Sequence, residues 1–101
     1  MQLQIESPHI EIERELTEFI HSKFEHLGKR YKRINRCDVV LRKDKSGEQE
    51  YFFIEAKMEV PRKMLFASEK AQSFEMALAK VIDDLEHQLT KHKEEIEEVR
   101  D

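Results

Sequence analysis

The chain has 101 residues, of which 39% are hydrophobic and 40% are charged, and its formal net charge at pH 7 is −4. A chain of this length supports one domain with one modest core. It contains no apolar run near the roughly 18 residues that span a membrane, and its first residues lack the basic and apolar regions of a signal peptide. Cys37 is the only cysteine, which excludes an internal disulfide and favours a reducing, cytoplasmic location.

The charges are unevenly distributed along the chain. Residues 29–45 carry eight basic and two acidic side chains, whereas residues 94–101 carry five acidic side chains and one basic one. A local electrostatic potential depends on where the charges lie and not on their sum. The acidic net charge therefore does not exclude a nucleic-acid partner.

The first 28 residues predict a strand and a helix. Leu3 and Ile5 alternate with polar residues, which is typical of a strand with one buried face. Between Ile12 and Leu27, apolar residues recur at steps of three and four and so share one face of a helix. Gly28 follows directly, and we expect it to cap the end of that helix.

Alternating apolar residues predict three further strands, at 37–41, at 52–60 and near 64–69. The turn between the first two is expected at 44–47, where Asp, Lys, Ser and Gly follow one another. Pro61 begins the turn before the last strand. The alternation of apolar and polar residues indicates a sheet with one buried and one solvated face.

The last predicted element is a long helix. Apolar residues from Phe74 to Leu89 share one face, and the same face continues through His92, Ile96 and Val99. The flanks become almost wholly acidic past Leu89, so we expect the helix to extend beyond the sheet there.

The predicted order is β-α-β-β-β-α, which is an α+β two-layer fold with two helices on one face of a four-stranded sheet. We assign residues 1–93 to this domain and residues 94–101 to an acidic helical extension or a frayed tail.

A run of basic residues follows the first helix. Cations at this density can neutralise phosphates and release counterions, and the tyrosine among them could stack on a base. The alternative is that these cations only complement the negative end of the helix dipole and remain solvated. The run consists of Lys29, Arg30, Tyr31, Lys32, Arg33 and Arg36.

A second basic group, Lys91-His92-Lys93, lies near the end of the last helix. If the two helices pack in parallel on the sheet, their C-terminal ends converge and the two basic groups form one patch. Lys23 then lies about one turn back from that patch on the first helix. An antiparallel pair of helices would separate the groups.

Nothing in the sequence predicts catalysis or a metal site. His21 and His26, and likewise His87 and His92, are five residues apart, so neither pair shares one helix face. The spacings of zinc and metalloprotease motifs are absent. Cys37 lies in the apolar phase of its strand, as a buried, unreactive thiol would. We therefore expect no enzyme activity, no cofactor and no bound metal.

Several short motifs occur together in a familiar order, and on them residues 1–93 resemble the ribosome hibernation promoting factor family. Members are also called ribosome-associated translation inhibitors and, historically, sigma-54 modulation proteins. The chain is similar to the short form, which lacks the C-terminal dimerisation domain of longer members. The motifs are Met1-Gln2-Leu3 with Ile5, Leu16 with Glu18-Phe19-Ile20 and Lys23-Phe24, Arg33-Ile34-Asn35 with Val39-Val40-Leu41, and Leu85 with Gln88-Leu89-Thr90-Lys91-His92-Lys93.

The resemblance implies the same β-α-β-β-β-α fold with its two helices parallel. It also implies a non-enzymatic factor that binds the small ribosomal subunit and its ribosomal RNA, in the channel that messenger and transfer RNA otherwise occupy. Such a factor inhibits translation and stabilises idle ribosomes under stress or in stationary phase, with a second hibernation factor as a further candidate partner. No membrane and no small-molecule substrate is implied.

The family's basic positions are matched here by Lys23, Arg33, Lys91 and Lys93, with Gln88 and His92 as polar companions. These residues and the basic run together give the candidate RNA-binding residues. They are Lys23, His26, Lys29, Arg30, Tyr31, Lys32, Arg33, Arg36, His87, Gln88, Lys91, His92 and Lys93.

The sequence departs from the family pattern at three places. His26 and His87 replace a lysine and an arginine, and Ser73-Phe74-Glu75 replaces Asp-Met-Tyr at the start of the last helix. These changes remove cations and a stacking ring, and we expect the extra bases to compensate, namely Lys29, Arg30, Lys32 and Arg36.

Two other functions stay open on the residues alone. The first is a protein-interaction module that regulates the transcription machinery through the C-terminal helix and acidic tail. The second, ranked last, is a small metal-dependent enzyme.

Overall fold

The computed structural model describes the backbone of residues 1–99 and the side chains of residues 1–93. Two helices and four strands follow one another in the predicted order. They are β1 (Gln2–Glu6), α1 (Arg14–Arg30), β2 (Arg36–Ser46), β3 (Gln49–Val60), β4 (Lys63–Ala71) and α2 (Phe74–Val99). The expectation that Ile96 and Val99 lie on the buried α2 face concerns side chains outside the described residues. The α2 backbone reaches Val99, and the assignment of residues 94–101 to an acidic helical extension or a frayed tail stays a prediction.

The four strands form one mixed sheet in the order β1-β2-β3-β4. β1 runs parallel to β2, and the β2–β3 and β3–β4 pairs are antiparallel. β1 and β2 therefore need a crossover, and α1 supplies it, whereas short hairpins join the other strands. The predicted two-layer α+β fold is confirmed.

The core lies between one face of the sheet and the two helices. Register partners form continuous apolar rows across all four strands, one of them made by Leu3, Cys37, Met58 and Leu65. The helix residues that complete this core are Ile20, Phe24 and Leu27 of α1 and Phe74, Leu78, Val81, Leu85 and Leu89 of α2.

Cys37 is fully buried in this core, as the alternation predicts. Burial raises the pKa of its thiol to about 12, and the nearby Asp38 carboxylate adds to the shift. The thiol therefore stays protonated at neutral pH, and the expectation of an unreactive cysteine agrees with its surroundings.

Both hairpins turn through two residues, and each turn holds one residue at positive φ. Ser46 still pairs with Gln49, so the first turn is Gly47-Glu48 and not the predicted 44–47. The pairing of β2 with β3 continues past the predicted turn, because the polar residues of β2 as far as Ser46 are each paired with a residue of β3. Gly47 has a φ of 65°, and Arg62 in the second turn has a φ of 67°.

The prediction that Gly28 caps α1 is wrong. The helix continues to Arg30, and its cap is Tyr31, whose backbone N–H donates to the carbonyl of Leu27 over 3.0 Å. Gly28 lies within the last turns and packs beside the chain terminus, where a Cβ at this position would be 3.4 Å from Cε of Met1. The helix does not end at the glycine because Tyr31 supplies the cap three residues later.

Replacing Gly28 by alanine is expected to raise the free energy of unfolding by about 0.5–1 kcal/mol, since alanine has the higher helix propensity. The new methyl group meets only the side chain of Met1, at 3.4 Å from Cε and 3.8 Å from Cβ. Urea unfolding of the variant measures the effect. Gly47→Ala is the matched control and is expected to destabilise by about 1 kcal/mol because of its positive φ. A loss of stability in Gly28→Ala would contradict this account.

One flank of α2 lies along the edge strand β4. Lys80 donates from Nζ to the carbonyl of Lys70 over 3.2 Å, and Gln88 donates from Nε2 to the carbonyl of Phe66 over 2.8 Å. Between these two contacts the carboxyls of Asp84 and Glu69 meet. A hydrogen bond shared with Asp84 raises the pKa of Glu69, with desolvation and repulsion between the two groups as smaller causes and the charge of Lys80 opposing them.

This carboxyl pair predicts a pH effect on stability. A raised pKa means that the folded state binds the Glu69 proton more tightly than the unfolded state does. Stability from this group is therefore fully present below the unfolded pKa of roughly 4.3 and is lost as the pH rises through the raised value.

Asp84→Asn is expected to remove that loss, because an amide replaces the repelling carboxylate. Urea unfolding at acidic and neutral pH should show a smaller decrease for Asp84→Asn than for the wild type. Glu25→Gln, an exposed neutralisation on α1, serves as the control. Equal decreases in all three proteins would show that the pair has no influence.

Candidate nucleic-acid interface

The C-terminal end of α1 lies beside residues 86–90 of α2, which itself continues to Val99. Nη1 of Arg30 is 3.4 Å from Oε1 of Glu86, and the hydroxyls of Tyr31 and Thr90 form a hydrogen bond of 3.0 Å. Because the last turn of α1 meets the C-terminal half of α2, the helices run parallel. The two basic groups therefore converge, as expected for a parallel pair of helices.

Six exposed cations lie within three residues of the Tyr31–Thr90 contact. We call them the helix-end surface: Lys29, Arg30, Lys32, Arg33, Lys91 and Lys93. The first two lie in the last turn of α1, where they also complement the negative end of the helix dipole. The arrangement brings the two basic groups of the sequence together on one end of the helix layer.

Three more candidate residues extend this surface back along the helices. Lys23 and His26 on α1 and His87 on α2 are all exposed. Nδ1 of His87 lies 2.8 Å from the backbone carbonyl of Asp83, and that hydrogen bond raises the pKa of the imidazole, with the Asp83 carboxylate adding to the shift. The cationic form of His87 is therefore favoured more than in an isolated histidine.

Tyr31 has a structural contact that the sequence did not predict. Its ring is half-buried against the core, its hydroxyl is bonded to Thr90, and the guanidinium of Arg30 lies 5.5 Å from its ring centroid. These contacts join the two helix ends. Stacking of Tyr31 on an RNA base remains a prediction.

Arg36 is not brought to the helix-end surface. It is the first residue of β2 and precedes the buried Cys37, so its side chain lies on the open face of the sheet. There its guanidinium contacts Asp38 over 3.0 Å and the side-chain oxygen of Gln4 over 3.1 Å. Proximity along the chain suggested a common patch, but the alternation within β2 places Arg36 on the other layer.

Two further candidate residues, Gln88 and His92, have side chains that contact the rest of the fold. The amide of Gln88 is bonded to the backbone of β4, and His92 is only 8% exposed. Nε2 of His92 has no hydrogen-bond partner within the described part of the chain. His92 follows Leu89 by three residues, so the same apolar face that buries Leu89 also buries His92.

Glu86 and Thr90 hold the helix ends together, and neither was a candidate in the sequence. The two are four residues apart on α2 and so share a face. In the sequence, only that spacing and the position of Thr90 in the Gln88–Lys93 motif pointed to these two residues. Their contacts with α1 depend on the packing of two distant segments, which local patterns do not contain.

Neither a metal site nor a membrane-spanning helix is found among the residues that the structure describes. Among them, no group of three or more His, Cys, Asp or Glu side chains is arranged to hold a metal ion. No helix within the same part of the chain is long and apolar enough to cross a membrane.

The chain is similar to known proteins along nearly all its length. It is 35% identical over 98 residues to the ribosome hibernation promoting factor of Escherichia coli (strain K12), an alignment that covers 97% of this chain and 99% of the relative. Two solved structures share the fold at lower identity, as follows.

A ribosomal subunit interface protein from Coxiella burnetii superposes with a TM-score of 0.82 at 18% identity, covering 92% of this chain and 98% of that one. The N-terminal domain of Protein Y from Thermus thermophilus gives a TM-score of 0.73 at 21% identity, covering 91% and 99%. Residues 3–97 match the family described as Sigma 54 modulation protein / S30EA ribosomal protein. The chain belongs to that family.

Proposed function

We propose that this protein binds the small ribosomal subunit through its ribosomal RNA, in the channel used by messenger and transfer RNA, and thereby inhibits translation. In this role it acts without catalysis, in the cytoplasm, and stabilises idle ribosomes under stress or in stationary phase. The name of the E. coli relative, a ribosome hibernation promoting factor, supports this proposal.

The observation that carries the proposal is the convergence of two cationic segments at one end of the helix layer. The Tyr31–Thr90 hydrogen bond and the Arg30–Glu86 ion pair hold these segments in one arrangement. A fixed group of cations can match a folded RNA surface, whereas separate flexible cations would attract any polyanion.

The side chains have distinct roles in this proposal. Arg33 presents a planar guanidinium that can bind a phosphate through two hydrogen bonds. Lys91 and Lys93 supply compact charges from the C-terminal half of α2. His87 adds charge because its contacts with Asp83 favour protonation. Inhibition then follows from occupancy of the channel.

The test is binding of the full chain to purified small subunits over a range of salt concentrations. We expect the logarithm of affinity to fall by roughly 0.7–0.9 per logarithm of salt for each phosphate contacted. Prior loading of the subunit with messenger RNA and transfer RNA should prevent binding. Affinity that does not change with salt would contradict an RNA contact, and unimpaired binding to loaded subunits would contradict the channel.

A further inference from the structure

A groove separates the two helices on the outer side of their layer. It has a volume of about 330 Å³ and runs along α2 from Glu75 to Glu86, which places it at the lower end of the size range of ligand sites. Its apolar lining includes Phe19 from α1 and Ile82 from α2. Phe19 is 38% exposed, so the groove leaves an aromatic ring accessible to a partner.

Carboxylates dominate the polar lining of this groove. Glu75, Asp83 and Glu86 face a single ammonium, that of Lys23. Lys23 lies over the ring of Phe19, with Nζ 5.3 Å from the ring centroid. Glu86 is paired with Arg30.

The other two groove carboxylates have little compensation. Among residues 1–93, Asp83 has an exposed contact of 3.9 Å with Nδ1 of His87, which is an ion pair only when the imidazole is protonated, and Glu75 has no ion pair. The groove therefore combines an apolar floor with three carboxylates whose charge is only partly compensated, and Glu75 is the one of them without an ion pair among residues 1–93.

This chemistry disfavours RNA and favours a cationic protein segment. Phosphates would be repelled by the three carboxylates, which lie back along the helices from the helix-end surface. A metal ion is also disfavoured, because no metal-holding group of carboxylates occurs among the described residues. An apolar groove between two helices with acidic sides is the arrangement that accepts an amphipathic basic segment.

We infer that this groove binds a basic peptide segment of a partner protein, which inserts an apolar side chain between the helices. The apolar side chain contacts Phe19 and Ile82. Flanking lysine or arginine side chains lie opposite Glu75 and Asp83. This interaction uses the opposite sign of charge from the proposed RNA binding, and the two surfaces adjoin at Lys23 and at the Glu86–Arg30 pair.

A labelled model peptide tests the inference directly. The probe is a fluorescein-labelled, 12-residue peptide with six lysine or arginine residues and two leucines four residues apart, titrated with the full chain and followed by fluorescence anisotropy. A second peptide carries serine in place of both leucines. We expect the serine peptide to bind about tenfold or more weakly, since it loses the buried apolar contact.

Matched variants of the protein locate the site. Glu75→Gln combined with Asp83→Asn is expected to weaken the leucine peptide by about tenfold. Glu11→Gln combined with Glu25→Gln removes the same charge elsewhere and should change the affinity by less than about twofold. Circular dichroism verifies that both double variants are folded.

Three outcomes would overturn the inference. The first is an equal loss of affinity for the leucine peptide in both double variants, and the second is equal affinity of the two peptides for the unchanged protein. The third is an unchanged affinity of the Glu75→Gln/Asp83→Asn variant, which would place the peptide on another acidic segment such as 94–101. Because no ribosome is present, none of these outcomes bears on the proposed ribosome binding.

Discussion

Replacing Arg33 and Lys91 together by glutamate is expected to reduce affinity for the small ribosomal subunit by about a hundredfold or more at moderate salt. The two side chains come from the two segments that meet at the helix-end surface, so the double change reverses charge on both sides of the Tyr31–Thr90 contact. Loss of two phosphate contacts should also lower the slope of log affinity against log salt by roughly two units. Co-sedimentation with purified small subunits over a salt series measures both quantities.

The control must change the net charge equally without touching the helix-end surface. Arg14→Glu combined with Lys45→Glu meets this need. Arg14 begins α1, about 24 Å along the helix from Arg30, and Lys45 lies next to the tip of the β2–β3 hairpin, roughly 30 Å along β2 from Arg36. Both are exposed. If the control loses as much affinity as Arg33→Glu/Lys91→Glu, net charge alone governs binding and the arrangement of the cations is irrelevant.

The sequence predicts the fold well because each core row repeats a simple local pattern. The period of two in Cys37, Val39 and Leu41 and the helical spacing from Phe74 to Leu89 both match the buried residues of the structure. The element ends are less well predicted. Gly28 is typical of a helix end, yet α1 continues to Arg30 and is capped by Tyr31. The segment 44–47 is typical of a turn, yet the pairing of β2 with β3 continues to Ser46.

The sequence predicted the cations and, for parallel helices, their convergence, but not the placement of every candidate residue. The convergence of the helix ends follows from the topology, since α1 crosses from β1 to its parallel neighbour β2 and α2 returns along β4. The separation of Arg36 from Arg33 depends on where β2 begins, and the burial of His92 depends on how far the core follows α2. Neither the start of β2 nor the extent of the core along α2 can be deduced from composition and charge spacing.

The helix layer carries opposite charge in two places. Carboxylates line the groove between α1 and α2, and cations form the helix-end surface. A net charge of −4 conceals this polarity. On the proposed function, the acidic part disfavours indiscriminate attachment to RNA, and the RNA surface that binds is one that contacts the cations while leaving the carboxylates free.

Truncation of Phe24 to alanine is expected to lower the free energy of unfolding by about 3–5 kcal/mol, because its fully buried ring leaves a cavity. A domain of this size has a total stability of roughly 5–15 kcal/mol, so the loss is a large share. Phe19→Ala on the same helix is the matched control. Its ring is 38% exposed, and we expect a loss of about 1 kcal/mol or less.

Urea unfolding followed by circular dichroism compares the two variants, and equal losses would contradict the assignment of Phe24 to the core. The Phe24→Ala variant also separates geometry from charge, since it retains every cation of the helix-end surface. Binding to small subunits should fall in proportion to the unfolded fraction as urea or temperature increases, because only the folded chain holds Arg33 and Lys91 together. If the unfolded variant bound as tightly as the folded one, the charge of the two segments would be sufficient and their convergence would have no part in recognition.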